Sequence, residues 1–437
     1  MKISKIQKFG GTSVGSAARM KHVAGLIDDG DTKIIVLSAM SGTTNSLVEI
    51  ANSVRTERVS PLLAHLKQTY IQMVSELHKT PESIEKSTRF VDSVFEHLNH
   101  LVQKTYSPIV EKEILAQGEL LSTHLFTHYL QEKNVDCKLI PALDFMHVNE
   151  HGEPVFDRID ADLTKIINQN PTQKLFITQG FICLNHNAEI DNLQRGGSDY
   201  TASIIGSIVN ADEIQIWTDI DGMHNNDPRL VEGTKPVRNL QFEEAAELAY
   251  FGAKILHPTC ILPAKEKNIK VRLLNTMQPT AEGTTISNEV SHSGIVAIAA
   301  KDGITSIKIK SGRMLLAYGF LREVFQIFED FQTPIDLITT SEVGVSVTID
   351  NNKHLNEIKQ KLEKCGTVFV EKNMTIICVV GQIPSDTIGI QSKVLQAFQD
   401  IPIRMVSYGG SNYNISFIVR SEDKIKALQK LHNTLFL

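Results

Sequence analysis

The stretch Lys8-Phe9-Gly10-Gly11-Thr12-Ser13-Val14-Gly15 decides how the rest of the chain is read. It follows a short strand-like opening, Ile3 to Gln7, and precedes a helical pattern from Ala17 to Ile27, so its glycines stand where a strand turns into a helix. Backbone amides at such a turn can approach a polyphosphate closely because Gly10 and Gly11 carry no Cβ, and the following helix points its partial positive end at the anion. Lys8 adds a full charge for the β- and γ-phosphates. Two glycines at such a junction can equally make nothing more than a tight turn; the eight residues together favour phosphate handling. Neither Gly-x-x-x-x-Gly-Lys-Ser/Thr nor Gly-x-Gly-x-x-Gly describes the stretch, so it is neither a P-loop nor a dinucleotide fingerprint.

A chain of 437 residues has material for roughly two to four domains. With 42% hydrophobic and 22% charged residues it has the composition of a soluble globular protein. A net charge of -6 without a basic run argues against nucleic-acid and membrane-surface partners, leaving small molecules. The five cysteines are scattered and never in Cys-x-x-Cys spacing, which reads as buried thiols in a reducing compartment. The fifteen histidines form no His-Glu-x-x-His and no His/Cys cluster, so no zinc site is expected. Apolar runs fall short of the roughly 18 residues of a membrane helix. No signal or transit pattern precedes the first strand, so a cytoplasmic location is expected.

Further along, Lys33 to Met40 reads as a strand ending in the hydroxyl-rich loop Ser41-Gly42-Thr43-Thr44-Asn45. Ligands of open parallel sheets bind beyond the carboxyl ends of strands, so this loop and the glycine turn can face one site; the loop can also be only a turn. Leu47 to about Lys112 is helical in character, an excursion from the sheet. In Gln117-Gly118-Glu119 an acid stands near the start of a helix running to Leu130, where it caps the helix or binds a ligand. Leu139 to Leu143 and Leu175 to Thr178 resume the strand pattern around a helix from Ala161 to Ile167. Arg195-Gly196-Gly197-Ser198-Asp199 opens a small-residue helix through Val209, bringing backbone amides, a serine, an acid and an arginine to one N-terminus. Asp199 as a plain first-turn acid and Arg195 as a surface charge are the simpler readings. Glu213 to Thr218 is a strand ending in Asp219, followed by a polar loop through Arg229. A helix from about Phe242 ends in Phe251-Gly252-Ala253-Lys254-Ile255-Leu256-His257-Pro258, where Lys254 can be a solvated charge.

Lys8 to Val14, Ser38 to Asn45, Gly118-Glu119, Arg195 to Ala202, Trp217-Thr218-Asp219, Asp227-Pro228-Arg229 and Phe251 to Pro258 stand in the order seen in aspartokinases, which the chain resembles over nearly its whole length. The resemblance implies an amino acid kinase fold, a mainly parallel sheet sandwiched by helices, over residues 1–289. It implies phosphoryl transfer from ATP, with Mg²⁺, to the β-carboxylate of L-aspartate, giving 4-phospho-L-aspartate. By resemblance Lys8 and Asp199 are catalytic, and Lys8, Gly10, Gly11, Thr218, Asp219, His224, Arg229 and Lys254 hold the nucleotide. Ser38, Thr44, Glu119, Arg195 and Ser198 hold aspartate, with Arg195 clamping the α-carboxylate and Glu119 taking the ammonium. The metal rides on the phosphates, with Asp199 beside it. Two residues depart from the family: Gln194 replaces a glycine, and His224 stands where a tyrosine is expected against adenine.

After a linker at Ser287 to Gly294 the pattern repeats at about 70 residues, which reads as duplication. Ile304 to Ile309, Phe320 to Phe331, Ile335 to Thr339, Gly344 to Ile349, Leu355 to Leu362 and Thr367 to Glu371 give a ferredoxin-like βαββαβ unit over 304–373. The second copy, 374–437, ends on a helix, and Gly294 to Ala300 can supply its missing strand, so the first unit is expected to be inserted into the second. These paired units resemble ACT domains. The resemblance implies an amino-acid effector, lysine, at Met314, Gly319, Phe320, Leu321, Asp336, Thr340 and Ser341, with Ala317 departing from the usual polar residue. It also implies a homodimer, or a dimer of dimers, through the ACT units. The competing readings are an amino acid kinase of another specificity and a catalytically silent amino-acid sensor.

Overall fold

The structure, a computed structural model, describes residues 2–193, 196–252, 257–289, 293–312, 318–384 and 386–437. It divides into two compact units: Met1–Met223 with Arg238–Phe242 and Ile255–Glu289, and His224–Val237 with Glu243–Lys254 and Val290–Leu437.

The first unit is built on β1 (Lys5–Phe9), α1 (Ala17–Ile27), β2 (Lys33–Leu37), α2 (Thr43–Asn52), α3 (Val59–Leu77), α4 (Pro81–Leu101) and α5 (Pro108–Glu132). It continues through β3 (Lys138–Leu139), α6 (Phe156–Asn168), β4 (Leu175–Gln179), β5 (Ile182–Leu184), β6 (Ile190–Asn192), α7 (Gly197–Ile208), β7 (Glu213–Thr218) and β8 (Asn239–Gln241). After α8 (Phe242–Tyr250), most of which clusters with the second unit, come α9 (Pro258–Glu266), β9 (Lys270–Asn275) and β10 (Thr284–Ser287). The eight-stranded sheet has the order β3-β4-β2-β1-β7-β9-β10-β8 and is parallel except between β9 and β10. Its central strands β2 and β4 are buried at every position, which is why they read as unbroken apolar runs. β1 is the switch point: β2 lies on one side and β7 on the other, so their crossovers diverge at its carboxyl end.

The helical excursion is α2 to α5. Ser and Thr caps begin its long members: Thr80 accepts from the Ser83 amide ahead of Pro81, and Ser107 from the Val110 amide ahead of Pro108. Leu63, Leu66, Tyr70, Met73, Phe95 and Leu98 form the core between these helices. Three local expectations change. Glu119 is not near a helix start but in the middle of α5, so it caps nothing; the Ser107-Pro108 signal lies a full eleven residues upstream. The loop ending in Asn45 is already helical from Thr43. The helix from Phe242 stops at Tyr250 rather than running toward Pro258, which begins α9.

The second unit holds β11 (Gly294–Lys310), α10 (Phe320–Asp330), β12 (Ile338–Ser341), β13 (Gly344–Ile349), α11 (Leu355–Leu362), β14 (Thr367–Gln382), α12 (Ile390–Gln396), β15 (Met405–Tyr408), β16 (Asn414–Arg420) and α13 (Lys424–Phe436). Its six-stranded antiparallel sheet runs β12-β13-β11-β14-β16-β15. β11 and β14 each serve both halves: residues 305–310 pair with 344–349 and 367–371, whereas 294–301 pair with 376–382, and register shifts between Lys301 and Ser306 separate the two stretches. Each half has its own core, Ile307, Val324, Phe328, Val347 and Ile358 in one and Ile377, Val394, Phe417, Leu428 and Leu431 in the other. The strand expected at Ile335 to Thr339 starts at Ile338, so Asp336 precedes it.

Candidate active site

Backbone hydrogen bonds knit the carboxyl ends of the four central strands into one rim. Gly10 N donates to Trp217 O at 3.2 Å, Ser38 N to Phe9 O at 3.2 Å and Gly180 N to Leu37 O at 2.9 Å. The glycine turn after β1 packs hard on the loop after β2: Ser41 N donates to Gly11 O at 3.1 Å, and a Cβ on Gly11 would lie 2.8 Å from Ala39 O. Only glycine admits that approach at position 11, whereas a Cβ on Gly10 would make ordinary contacts at 3.6 Å.

These loops, α5 and the start of α7 enclose a cavity of about 320 Å³. It gathers Lys8, Gly11, Ser38, Thr44, Glu119, Ser198 and Asp199, seven of the candidate residues, from segments up to 191 positions apart in sequence (199 − 8). Lys8 leaves β1 to place Nζ 2.7 Å from Asp199 Oδ1, with both side chains nearly buried. The contact is an ion pair by distance, and Asp199 Oδ1 has no hydrogen bond of good geometry among the described residues. Glu119 is 4% exposed. Its Oε1 accepts from Ala39 N at 3.1 Å, and its Oε2 is buried without a hydrogen-bond partner among the described residues. Burial pushes this carboxyl up to about 8, against the opposing pulls of the Ala39 amide and the Lys8 charge. Ser122, one turn along α5, donates to Ser38 O at 2.8 Å and ties the helix to the β2 loop. Cys260, also near α7, is no nucleophile here: burial and the Asp199 charge push its thiol up to about 12.

The other candidates fall elsewhere. Gly10 sits in the glycine turn, its Cα side facing Lys8 Nζ at 3.6 Å from an added Cβ. Thr218 ends β7 and bonds Ile220 O at 3.3 Å, and Asp219 beside it is exposed. His224 and Arg229 belong to the second unit, where His224 Nδ1 lies 3.3 Å from Thr234 Oγ1 and Arg229 forks Asp227 at 2.9 and 2.7 Å. Arg195 and Lys254, like Gln194, lie outside the described residues. Phe181, which lines the cavity, escaped the sequence reading; its signal was its place just beyond β4, the rule already applied to β1 and β2.

Among the effector candidates, Gly319 and Phe320 line a cavity of about 620 Å³ between α10 and α11, together with Arg322, Glu323, Lys361 and Lys364. Leu321, Thr340 and Ser341 are exposed, and Met314 and Ala317 lie outside the described residues. The Asp336 carboxylate, 3% exposed, already has an ammonium partner: Lys301 Nζ stands 2.6 Å from Oδ1 and 2.9 Å from Asp350 Oδ2. Tyr250 Oη donates to the same Asp336 oxygen at 3.0 Å, and the Lys301 ammonium lies 4.7 Å from the Tyr250 ring centre. Burial raises Asp336 above the usual carboxylate range even so, with Lys301 pulling the other way.

The sequence matches the amino acid kinase family over residues 4–275 and an ACT domain over residues 377–435. It is 32% identical to lysine-sensitive aspartokinase 3 of Escherichia coli (strain K12), over 99% of each chain. It is 33% identical to aspartokinase 2, chloroplastic, of Arabidopsis thaliana, over 99% of this chain and 84% of that one. The crystal structure of E. coli aspartokinase III in complex with aspartate and ADP superimposes with a TM-score of 0.88 at 32% identity, covering 99% of this chain and 100% of that one. Clostridium acetobutylicum aspartate kinase gives a TM-score of 0.83 at 25% identity, over 98% and 99%. A likeness that runs from end to end in both sequence and structure leaves one family for the glycine turn and the cavity beside it: the chain belongs to the aspartokinases, ATP-dependent enzymes of the amino acid kinase family that carry ACT domains.

Proposed function

We propose that the 320 Å³ cavity is the acceptor site, where L-aspartate receives the γ-phosphoryl group of ATP on its β-carboxylate to give 4-phospho-L-aspartate. The observation that carries this is Glu119, a buried carboxylate whose Oε2 has no hydrogen-bond partner among the described residues, in a cavity lined by hydroxyls, backbone amides, Lys8 and Asp199, with Met40 and Phe181 as its apolar wall. Such a group is costly until a cation reaches it, and the α-ammonium of an amino acid is that cation. Ser38, Thr44 and Ser198 supply hydroxyls to the carboxylates, and Arg195, outside the described residues, is assigned to the α-carboxylate by resemblance to the family. The acceptor side chain, with a reference value of about 3.9, is ionised at neutral pH and needs no general base.

Gly10, Gly11 and Lys8 hold the transferring phosphates, with Thr218, Asp219, His224, Arg229 and Lys254 assigned to the rest of the nucleotide. As an ATP-dependent kinase the protein works with a divalent cation, for which we propose Mg²⁺. The residues fit: the Asp199 carboxylate, whose Oδ1 pairs with Lys8 Nζ and has no hydrogen bond of good geometry among the described residues, would suit an ion that takes most of its ligands from phosphates and water. Bound there, Mg²⁺ neutralises phosphate charge, while Lys8 follows the charge that shifts among the phosphate oxygens. ATP- and metal-dependent hydroxamate formation tests the assignment: aspartate should support it, and Glu119→Gln should lower kcat/KM for aspartate by about 10- to 150-fold, the worth of a charge-assisted hydrogen bond. Unchanged kcat/KM would remove Glu119 from the site.

For regulation we propose a catalytic domain over 1–289, a first ACT domain over 304–373 that binds lysine, and a second over 294–300 with 374–437. The lysine would reach Met314, Gly319, Phe320, Leu321, Asp336, Thr340 and Ser341. Its ammonium must then compete with Lys301 for Asp336. Inhibition requires a coupling free energy typically about 1–3 kcal/mol. Calorimetric titration with lysine should give binding that Thr340→Ile weakens while uninhibited kcat stays near the parent value; no binding to the parent would end the proposal. A homodimer or dimer of dimers through the ACT units, in the cytoplasm, completes the reading, and sedimentation of the full chain at a monomer mass would refute its assembly.

A further inference from the structure

Beyond β4 the chain enters Gly180 and then Phe181, which has φ +70°. A bulky aromatic residue in the left-handed region is uncommon, and the fold holds this one there from both sides of its backbone. Phe181 N donates to Thr201 Oγ1 at 3.0 Å, and Leu193 N donates to Phe181 O at 2.7 Å. Room for the ring comes from a missing side chain on α7: a Cβ on Gly197 would lie 2.4 Å from Phe181 Cδ2.

The ring lies against two cavities. One is the 320 Å³ cavity with Glu119 and Lys8; the other, about 480 Å³, is lined by Glu111, Lys112, Leu115, Asn192 and Leu193 among others. Of the described residues, Phe181, Gly196 and Gly197 line both, so Phe181 provides the one side chain they share. The wall of the second cavity is mainly apolar, and Glu111, Lys112 and Asn192 supply its polar groups. Lys112 there pairs with Asp191 at 2.6 Å, and Asn192 Oδ1 is buried without a hydrogen-bond partner among the described residues.

We propose that Phe181 is a specificity-determining residue: its ring closes the acceptor cavity toward the second one and restricts the acceptor to an amino dicarboxylate of aspartate length. The proposal rests on the acceptor reading given above. A ring that walls a pocket discriminates by excluding the extra methylene of a longer acid, a difference typically worth about 10- to 200-fold in kcat/KM.

The test uses the full chain and hydroxamate formation with aspartate and with glutamate, one methylene longer. The variants are Phe181→Gly, which suits the positive φ while removing the ring, and Phe181→Leu, which keeps most of the volume. In Phe181→Gly the aspartate-to-glutamate ratio of kcat/KM should fall at least about tenfold, mainly through a lower KM for glutamate, with Phe181→Leu close to the parent. If Phe181 only anchors the backbone, both acceptors lose activity by the same factor and the ratio stays put, which overturns the proposal. A parent that fails to phosphorylate aspartate at all would overturn the acceptor reading and this inference together, an outcome distinct from an unchanged ratio.

Discussion

At the level of single residues, the cavity is organised by charges that the fold has removed from water. Lys8 has Asp199 as its ion-pair partner, which fixes the position of the ammonium at the rim of the cavity. Lys8→Ala should therefore lower kcat by roughly 10²- to 10³-fold, the usual effect of losing one preorganised charge donor, and raise KM for aspartate far less. Near-normal kcat would sink that role. Glu119 gives a pH signature. Its value rises from 4.5 in the unfolded chain to about 8 in the fold, so between those limits the unfolded state binds fewer protons and stability falls as pH rises, by up to about 1.4 kcal/mol per pH unit. Above about 8 the loss is complete. Substrate ammonium prefers the ionised carboxylate, so KM for aspartate should fall as pH climbs toward 8 and level off beyond it. Urea unfolding of parent and Glu119→Gln at pH 6 and pH 8 separates the two effects: the variant should be the more stable at pH 8, and parallel behaviour at both values would contradict the buried-carboxylate account.

Among the elements, the helical excursion contains a second buried polar network. His78, at the end of α3, has Nδ1 2.9 Å from Glu132 Oε2 on α5 and Nε2 2.9 Å from Ser87 Oγ on α4. Ser87 Oγ also lies 3.0 Å from His128 Nδ1, so one hydroxyl joins two imidazoles across three helices. Burial lowers His78, His124 and His128, the last to about 3. Each ring therefore binds a proton less readily in the fold than in the unfolded chain, where an imidazole protonates below about pH 6.5. The unfolded state then binds more protons, so the stability is present above about pH 6.5 and is lost as pH falls below it. Thermal melts at pH 5 and pH 7 should show that loss. Ser87→Ala leaves two imidazole nitrogens without their hydroxyl and should cost about 1–3 kcal/mol, read from denaturant midpoints at pH 7. A midpoint equal to the parent's would mean that the network contributes nothing.

Over the whole molecule, two compact units carry separate cores, the kinase sheet with its helices and the six-stranded ACT sheet. A ligand stabilises the unit that binds it by about 2.7 kcal/mol at a hundredfold excess over Kd. Calorimetric scans should therefore resolve separate transitions, aspartate with ADP raising one by several degrees and lysine raising the other. If lysine raised the same transition as aspartate, the effector would belong to the kinase unit. Lys301 binds the second unit together at its own scale. It holds Asp336 and Asp350 while lying over the Tyr250 ring, so Lys301→Met should cost about 3–5 kcal/mol by stranding the buried Asp336 carboxylate.

The sequence alone determined the class of fold and much of the cavity. Unbroken apolar strands, a glycine turn ahead of a helix and loops at strand ends are local signals, and Lys8, Ser38, Glu119, Ser198 and Asp199 follow from them and from resemblance to a family. What only the tertiary structure decided depends on partners distant in sequence. That Glu119 lies mid-helix with an oxygen that has no hydrogen-bond partner among the described residues, that burial pushes its carboxyl up to about 8, and that Lys8 is held by Asp199 are results of packing, which no spacing reveals. Phe181 shows the same limit from the steric side, since its positive φ is set by Thr201, Leu193 and the bare face of Gly197. Asp336 looked like an open carboxylate along the chain, yet a lysine 35 positions away occupies it; Asp336 N donates to Thr348 O on β13, the strand paired with β11, which carries Lys301. Periodicity is written in neighbouring residues, whereas charge pairing and cavity walls are written in packing.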